Sequence, residues 1–408
     1  MKWFYSVLLV FLCAQTFGQT MLPVYYDTLK HNGALTATGS AFYHTSSLHN
    51  QLGDRFVFGG TISEEAKDNS YRKMEEYNTL GGELGGEVTY YHGTSISEKY
   101  PNLSWKLTMG STSIFGASYH RDVFGLLMYG NQRYLDDYAN LSNTYGFYYS
   151  GTNVGVGVYN KKTKAAIALN AVVVNNYARV DLGQAQFGTN QDASEIFTVA
   201  NGNIGWSDAS FYNGLGITVD ADYYLRVVLN KKKNRDGYVQ FRLRNIGVAR
   251  LEDWNHTTVG GTFNFSGFDF SSLSSEKGAP SFIEQVEDSI GLKSTNKAHW
   301  VAIPGVIQVG KIVDQLADKK LQSFFGVRSY ITSVYRPMVY AGLHYNFIPA
   351  LAVGGQISHG GFGGFRTGVY FSYIKDKVTF NIGSEDFLGA VHSRQYGQSV
   401  MLGISWMF

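Results

Sequence analysis

The chain has 408 residues with nearly balanced charge, 34 Lys and Arg against 32 Asp and Glu, and is only 16% charged and 15% aromatic. A net charge of +2 speaks against a nucleic-acid binder, and 29 Tyr, 27 Phe and 6 Trp carry far more apolar area than a disordered chain does. With 47 Gly, only 6 Pro, and no run of about 18 apolar residues past the amino terminus, the composition points to a large all-β protein rather than a helical membrane protein.

Residues 1–18 read as a secretory signal peptide. Lys2 is a short positive start, Trp3 to Ala14 is an apolar stretch too short to span a bilayer, and Thr16-Phe17-Gly18 puts a small residue at the cleavage point. The one cysteine, Cys13, falls inside this segment and follows Leu12, where a lipid-attachment signal needs a small residue. Residues 19–408 form a single domain, with no linker-like composition and no strict repeat. Apolar alternation begins by Leu35, which leaves no room for the amino-terminal plug of a large energy-coupled transporter. Glu64 to Tyr77 is densely charged and reads as a short helix or a solvated connection.

The clearest periodicity lies further on. From Leu215 to Leu229 every odd residue is apolar, while Asp220, Asp222 and Arg226 fall on the even face. After a Lys-rich turn the pattern returns, with Val239, Phe241 and Leu243 interleaved by Gln240, Arg242 and Arg244. A strand of about fifteen residues is longer than the usual five or six and suits a tilted crossing of a bilayer. The hairpin then has a lipid-like outer face and a polar inner one, and its register sets Asp222 opposite or diagonal to Arg244. These six polar residues are the candidate lumen-lining set, serving either as a charged pore wall or as structural ion pairs filling a closed barrel.

Pro280 to Leu292 has Phe282, Ile283, Val286 and Ile290 at helical spacing. It reads as an amphipathic helix that plugs the lumen, lies at the interface or caps a mouth. The last seventy residues alternate again. Ile348-Pro349 and Lys375-Asp376-Lys377 are turns at one end, and Gly360 to Gly364 and Ser384 to Gln398 are connections at the other. The final strand carries Leu402, Ile404, Trp406 and Phe408 at every second position, in the manner of an assembly signal read by the barrel-assembly machinery. Hydrocarbon offers backbone groups no partner, so a membrane-spanning sheet must close on itself. About 390 mature residues at roughly 25 per strand and connection give about 15 to 16 strands, and single-chain barrels take even numbers; we expect an all-β, transmembrane antiparallel up-and-down barrel of about 14 strands, within 12–16, with short helical loop or plug segments.

No catalytic, cofactor or metal signature emerges. There is no nucleophile elbow, phosphate loop or zinc-ligand spacing. The nearest pairs, Ser358 with His359 and His392 with Ser393, are adjacent residues, which point to opposite faces of a strand. Tyr90, Tyr91, Trp105, Tyr148, Tyr149, Tyr370, Tyr373 and Trp406 suit interfacial girdles, with a lumenal aromatic track as the other reading.

The stretch Tyr119 to Asn131, through Asp122, Phe124, Gly130 and Asn131, resembles an uncharacterised outer-membrane barrel family of Bacteroidota. The likeness continues loosely through Gly237 to Gly247, Phe265 to Asp269 and Ile303-Pro304. More distantly the chain is similar to FadL-type barrels and to the PorV and PorP/SprF-like barrels of type IX secretion and gliding, although the amino-terminal signature of the last is absent. The resemblance implies an outer-membrane barrel of a Gram-negative bacterium, in contact with outer-membrane lipid. Two roles stay open: a channel or carrier for small molecules, apolar ones among them, or a closed barrel acting as anchor or accessory subunit of a surface or secretion complex.

Overall fold

The computed structural model describes residues 22–23, 25–208, 210–230, 235–265, 292–314 and 319–408. The expected signal peptide, the expected Lys-rich turn at 231–234 and residues 280–291 of the expected amphipathic helix lie outside them.

Fourteen antiparallel strands close into a barrel: Gly33–Thr45 (β1), Tyr77–His92 (β2), Leu103–His120 (β3), Thr144–Asn160 (β4), Ala166–Thr189 (β5), Gly214–Asn230 (β6), Arg235–Leu251 (β7), the broken strand His299–Ile303 and Val306–Ile312 (β8), Leu321–Tyr330 (β9), Arg336–Ile348 (β10), Leu351–Gly361 (β11), Phe365–Lys375 (β12), Val378–Ser384 (β13) and Gly397–Met407 (β14). Closure is made by β14 on β1, from Ala34 opposite Met407 to His44 opposite Gly397. No wall strand is therefore left with an open edge, as a sheet in hydrocarbon requires.

The two-residue period decides what each face meets. On β6, Leu215, Ile217, Tyr223 and Leu225 are exposed on the outside while Thr218, Asp220 and Asp222 are buried within. On β14 the outward positions are Val400, Leu402, Ile404, Trp406 and Phe408. This is the reverse of a soluble protein and the expected pattern for a barrel whose solvent is lipid. At one outer rim Tyr90, Trp105, Trp406 and Phe408 cluster, with Trp406 and Phe408 rings 5.5 Å apart and Tyr90 and Trp105 5.3 Å apart. Tyr91 and Tyr370 instead face the lumen and Tyr149 is buried in the core, so the girdle expectation is corrected for these three. Their positions on the inward-facing residues of their strands decide their direction, regardless of nearness to a strand end.

The two ends differ. Both ends of the wall meet at one mouth, where Gly33 N–H donates to Phe408 O at 3.2 Å, and the described connections there run from two-residue turns at 349–350 and 376–377 up to the ten residues 93–102. The opposite, loop end carries the long connections. The charged segment that left helix and loop open forms a helix. Asn50–Phe58 (α1), Glu64–Lys73 (α2) and Arg121–Tyr129 (α3) pack together through Leu52, Ala66, Met74 and Phe124. Ser63 caps α2 by accepting from Ala66 N–H at 3.2 Å, and Glu64 and Glu65 lie in the first turn with Arg72 and Lys73 in the last, each matching the helix dipole. A side sheet adds to this end: the upper half of β5 leaves the wall and pairs with strands Asp137–Asn140 and Ile196–Trp206, the latter continuing to Asn255–Phe265 and Lys293–Asn296.

Candidate functional site

Just inside the loop end the lumen is filled. Phe362, wholly buried, stands edge-on to Tyr335 at 4.9 Å, and Val334, Met338, Trp254 and Ile114 join the same cluster. Gly81 makes this possible, because a Cβ there would come within 2.5 Å of the Phe362 ring. Polar anchors reinforce the layer. Arg328 donates from Nη1 and Nη2 to the two Glu385 carboxylate oxygens at 2.8 and 2.5 Å, and Tyr330 Oη donates to Glu83 at 2.6 Å.

Beneath this layer lies a cavity of about 560 Å³. It runs down to turn residues Lys162, Thr163 and Lys164 at the short-turn end and is walled by Tyr91, Tyr224, Tyr340, Tyr370 and Phe324 together with charged groups. The amino-terminal segment enters it. Leu22 packs with Phe324, Tyr370 and Met401, and Tyr26 stacks on Tyr91 with ring centroids 4.0 Å apart. Lys164 holds the segment by donating to Tyr26 O at 2.9 Å with its ammonium 4.5 Å from the Tyr26 ring centre. Burial lowers the Lys164 pKa to about 8, against an opposing pull from Asp27.

The sequence-predicted polar residues converge on this cavity's wall. Asp222 sits opposite Arg242 and diagonal to Arg244. Its Oδ1 accepts from Arg242 Nε and Gln240 Nε2, each at 3.0 Å, and its Oδ2 from Arg244 Nη2 at 2.5 Å. Gln240 also donates to Tyr224 Oη at 2.9 Å. Asp222, Arg226, Gln240, Arg242 and Arg244 line the cavity, whereas Asp220 lies behind the wall's irregularity.

That irregularity crosses three strands at one level. Pro304 has no N–H to give, so β8 breaks at Pro304-Gly305, and its pairing with β7 lapses opposite Asn245 and Ile246 before resuming in the same register. Asn245 turns to φ 53°, and its N–H donates at 2.7 Å to Asp220 Oδ1, which sits at the β6 register shift. Gly305 is required there, since a Cβ would lie 2.8 Å from Asn245 O. Asp220 thus satisfies the backbone of the kink beside Arg244, while the alternation of β7 turns Gln240, Arg242 and Arg244 inward.

Asp122, Phe124, Gly130 and Asn131 fall elsewhere, in α3 and the 3₁₀ turn Gly130–Tyr134 at the loop end. Asp122 Oδ2 accepts from Asn140 N–H at 3.0 Å, Phe124 is buried in the helical cluster, and Gly130 ends α3 at φ 71°. They organise a loop, and none of the four lines the cavity. Ser358 is buried inside and His359 lies on the other face of β11. Among the described residues no group of His, Cys, Asp and Glu could hold a metal.

Sequence reasoning missed the closing layer, Tyr26, and the Arg328–Glu385 pair. Arg328 and Glu385 are 57 residues apart and carry no local signal. Tyr224 was legible, being on the same even face as Asp222.

A closed 14-strand barrel with a buried apolar layer near the loop end, among the described residues, and a lumenal cavity defines the class of protein. No family model matches the chain, and no curated protein does. Among solved structures it is similar to a TodX monoaromatic hydrocarbon channel mutant at 9% identity, covering 97% of each chain with a TM-score of 0.37. It is also similar to the translocator domain of autotransporter NalP from Neisseria meningitidis at 9% identity, covering 92% of this chain and 88% of that one, TM-score 0.36. The Pseudomonas putida toluene transporter TodX is similar at 8% identity over 96% of each chain, TM-score 0.35. The fold itself rests on the strand register described above.

Proposed function

We propose that the chain is an outer-membrane barrel, exported by its amino-terminal signal and related to the Bacteroidota barrels that the Asp122–Asn131 stretch resembles. It works as a gated carrier that accepts a small molecule into the lumen. The observation that carries this is the cavity of about 560 Å³, which falls within the roughly 300–1,000 Å³ of ligand pockets. Its aromatic wall suits an apolar body, and its ion-paired side supplies orienting polar groups. The layer around Phe362 makes a permanently open pore incompatible with this reading. The experiment is conductance of the refolded protein in a planar bilayer. Wild type is expected to give no stable unit steps, and a Tyr335, Met338 and Phe362 triple alanine variant, shown folded by heat-shifted gel mobility, is expected to give them. Stable steps from wild type would overturn the gated reading.

Membrane residence makes its own prediction. Leu402 is at the middle of β14 and faces outward, so Leu402→Arg is expected to destabilise the inserted barrel by about 2–4 kcal/mol. The alternating stripe to Phe408 is also the surface we assign to recognition by the assembly machinery. Urea titration in lipid vesicles checks the first claim, and an unchanged midpoint would place this face away from hydrocarbon.

A second reading, an accessory subunit of a surface or secretion complex, draws on the helical cap. Phe58 and Leu127 are each 74% exposed there and are the apolar side chains that a partner on this cap would cover.

A further inference from the structure

A second cavity, of about 310 Å³, lies at the loop end and is lined by Ser46, Gly363, Gly364, Arg366, Asp386 and Tyr396 among others. It is separate from the lumenal cavity and shares no lining residue with it. Arg366, on the inward face of β12, is only 5% exposed and Asp386, in the β13–β14 connection, only 4%.

Each lies in the field of the other, with Glu385 also acting on Arg366, but Arg366 makes no contact ion pair among the described residues. Arg366 Nη2 donates to Gly360 O at 3.0 Å and lies 3.0 Å from Met338 Sδ, but among the described residues Nε and Nη1 have no partner. Asp386 Oδ1 accepts from Gly389 N–H at 3.0 Å, while Oδ2 stands 4.0 Å from His44 Nε2, which also has no hydrogen-bond partner. The neighbouring Arg328 is committed to Glu385. A guanidinium cannot shed its proton, and a buried charge without a counter-charge is costly. The pocket's roof keeps the space free: a Cβ on Gly363 would lie 3.3 Å from Arg366 Nη1, and one on Gly364 would meet open space.

Arg366 and Asp386 therefore face one pocket without forming an ion pair with each other. An anion alone would satisfy Arg366 and leave Asp386 stranded, and a cation alone would do the reverse. We propose that this pocket binds a small zwitterion of the α-amino-acid class, its carboxylate received by Arg366 and its ammonium by Asp386. Water filling the pocket would satisfy hydrogen bonds but cancel neither charge.

Calorimetry on the refolded full-length barrel tests this with L-alanine and its two halves, propionate and ethylamine. The expected result is saturable binding of alanine at least about tenfold tighter than either half, since each half forgoes a charge-assisted contact. Asp386→Asn and Arg366→Met should each weaken alanine binding by about tenfold or more. Heat-shifted mobility confirms folding of each variant. If Arg366→Met does not fold, Arg366→Lys, which keeps the charge and loses the fork, should still weaken it. Propionate binding as well as alanine, or Asp386→Asn leaving affinity unchanged, would reduce the pocket to an anion site and overturn the proposal. Absence of saturable alanine binding to wild type would overturn it as well.

Discussion

Arg328→Ala is expected to cost the folded barrel about 3–5 kcal/mol, and Glu385→Ala a similar amount. The two side chains are 3% and 4% exposed and meet through both guanidinium amino groups and both carboxylate oxygens. Removing either leaves the other charged, buried and without its partner in the filled end of the lumen. The attraction itself is largely offset by the loss of hydration of both ions, so Arg328→Met combined with Glu385→Leu should cost far less than either single change. Urea titration of refolded protein, followed by the loss of heat-shifted mobility, distinguishes these outcomes. If the double variant is as unstable as the sum of the singles, the pair acts through packing and not through mutual neutralisation.

Asp222→Ala carries the second large effect, also about 3–5 kcal/mol. One carboxylate here serves Arg242, Arg244 and Gln240 at once. Its removal leaves two guanidinium groups side by side in the cavity wall. Asp222→Asn should be nearly as costly, because the amide keeps the shape and loses the charge. A further Arg244→Ala in the Asp222→Ala background should recover part of the loss by relieving the repulsion. The same urea series measures all three. Equal midpoints for Asp222→Ala and wild type would mean that the wall arginines are solvated rather than held, and that the cavity is wetter than its lining implies.

The alternation on β6, β7 and β14 was readable because period two is a local property of the chain, and a lipid solvent imposes it over long runs, interrupted on β6 and β7 only at bulges. Length only bounded the strand number to 12–16, because the long loop-end connections use chain that an even allotment per strand does not foresee. The Asp222 cluster was readable because its members lie on one hairpin, where register follows from the turn. The closing layer was not. Phe362 meets Gly81, Tyr335 and Val334 only after the sheet has curled shut, and nothing in the sequence near Gly360 to Gly364 distinguishes an inward Phe from a solvent-facing turn. The kink was not legible: Ile303-Pro304 enters the sequence reading only through a family likeness, and that Asp220 takes up the N–H of Asn245 depends on the β6–β7 register shift. Tyr91 and Tyr370 show the same limit. Aromatic content near a strand end suggests a girdle, yet side-chain direction is set by a register that bulges alter.

The central claim is that the lumenal cavity communicates with the short-turn end and is sealed from the loop end. Thr38 lines that cavity, and the only native cysteine, Cys13, lies in the expected leader, so a Thr38→Cys variant presents a single thiol. The measurement is its rate of reaction with a membrane-impermeant maleimide in sealed proteoliposomes of known orientation, with reagent supplied to one side at a time. Rapid labelling from the short-turn side and none from the loop side is the predicted result. Equal labelling from both sides, or labelling from the loop side alone, would contradict it.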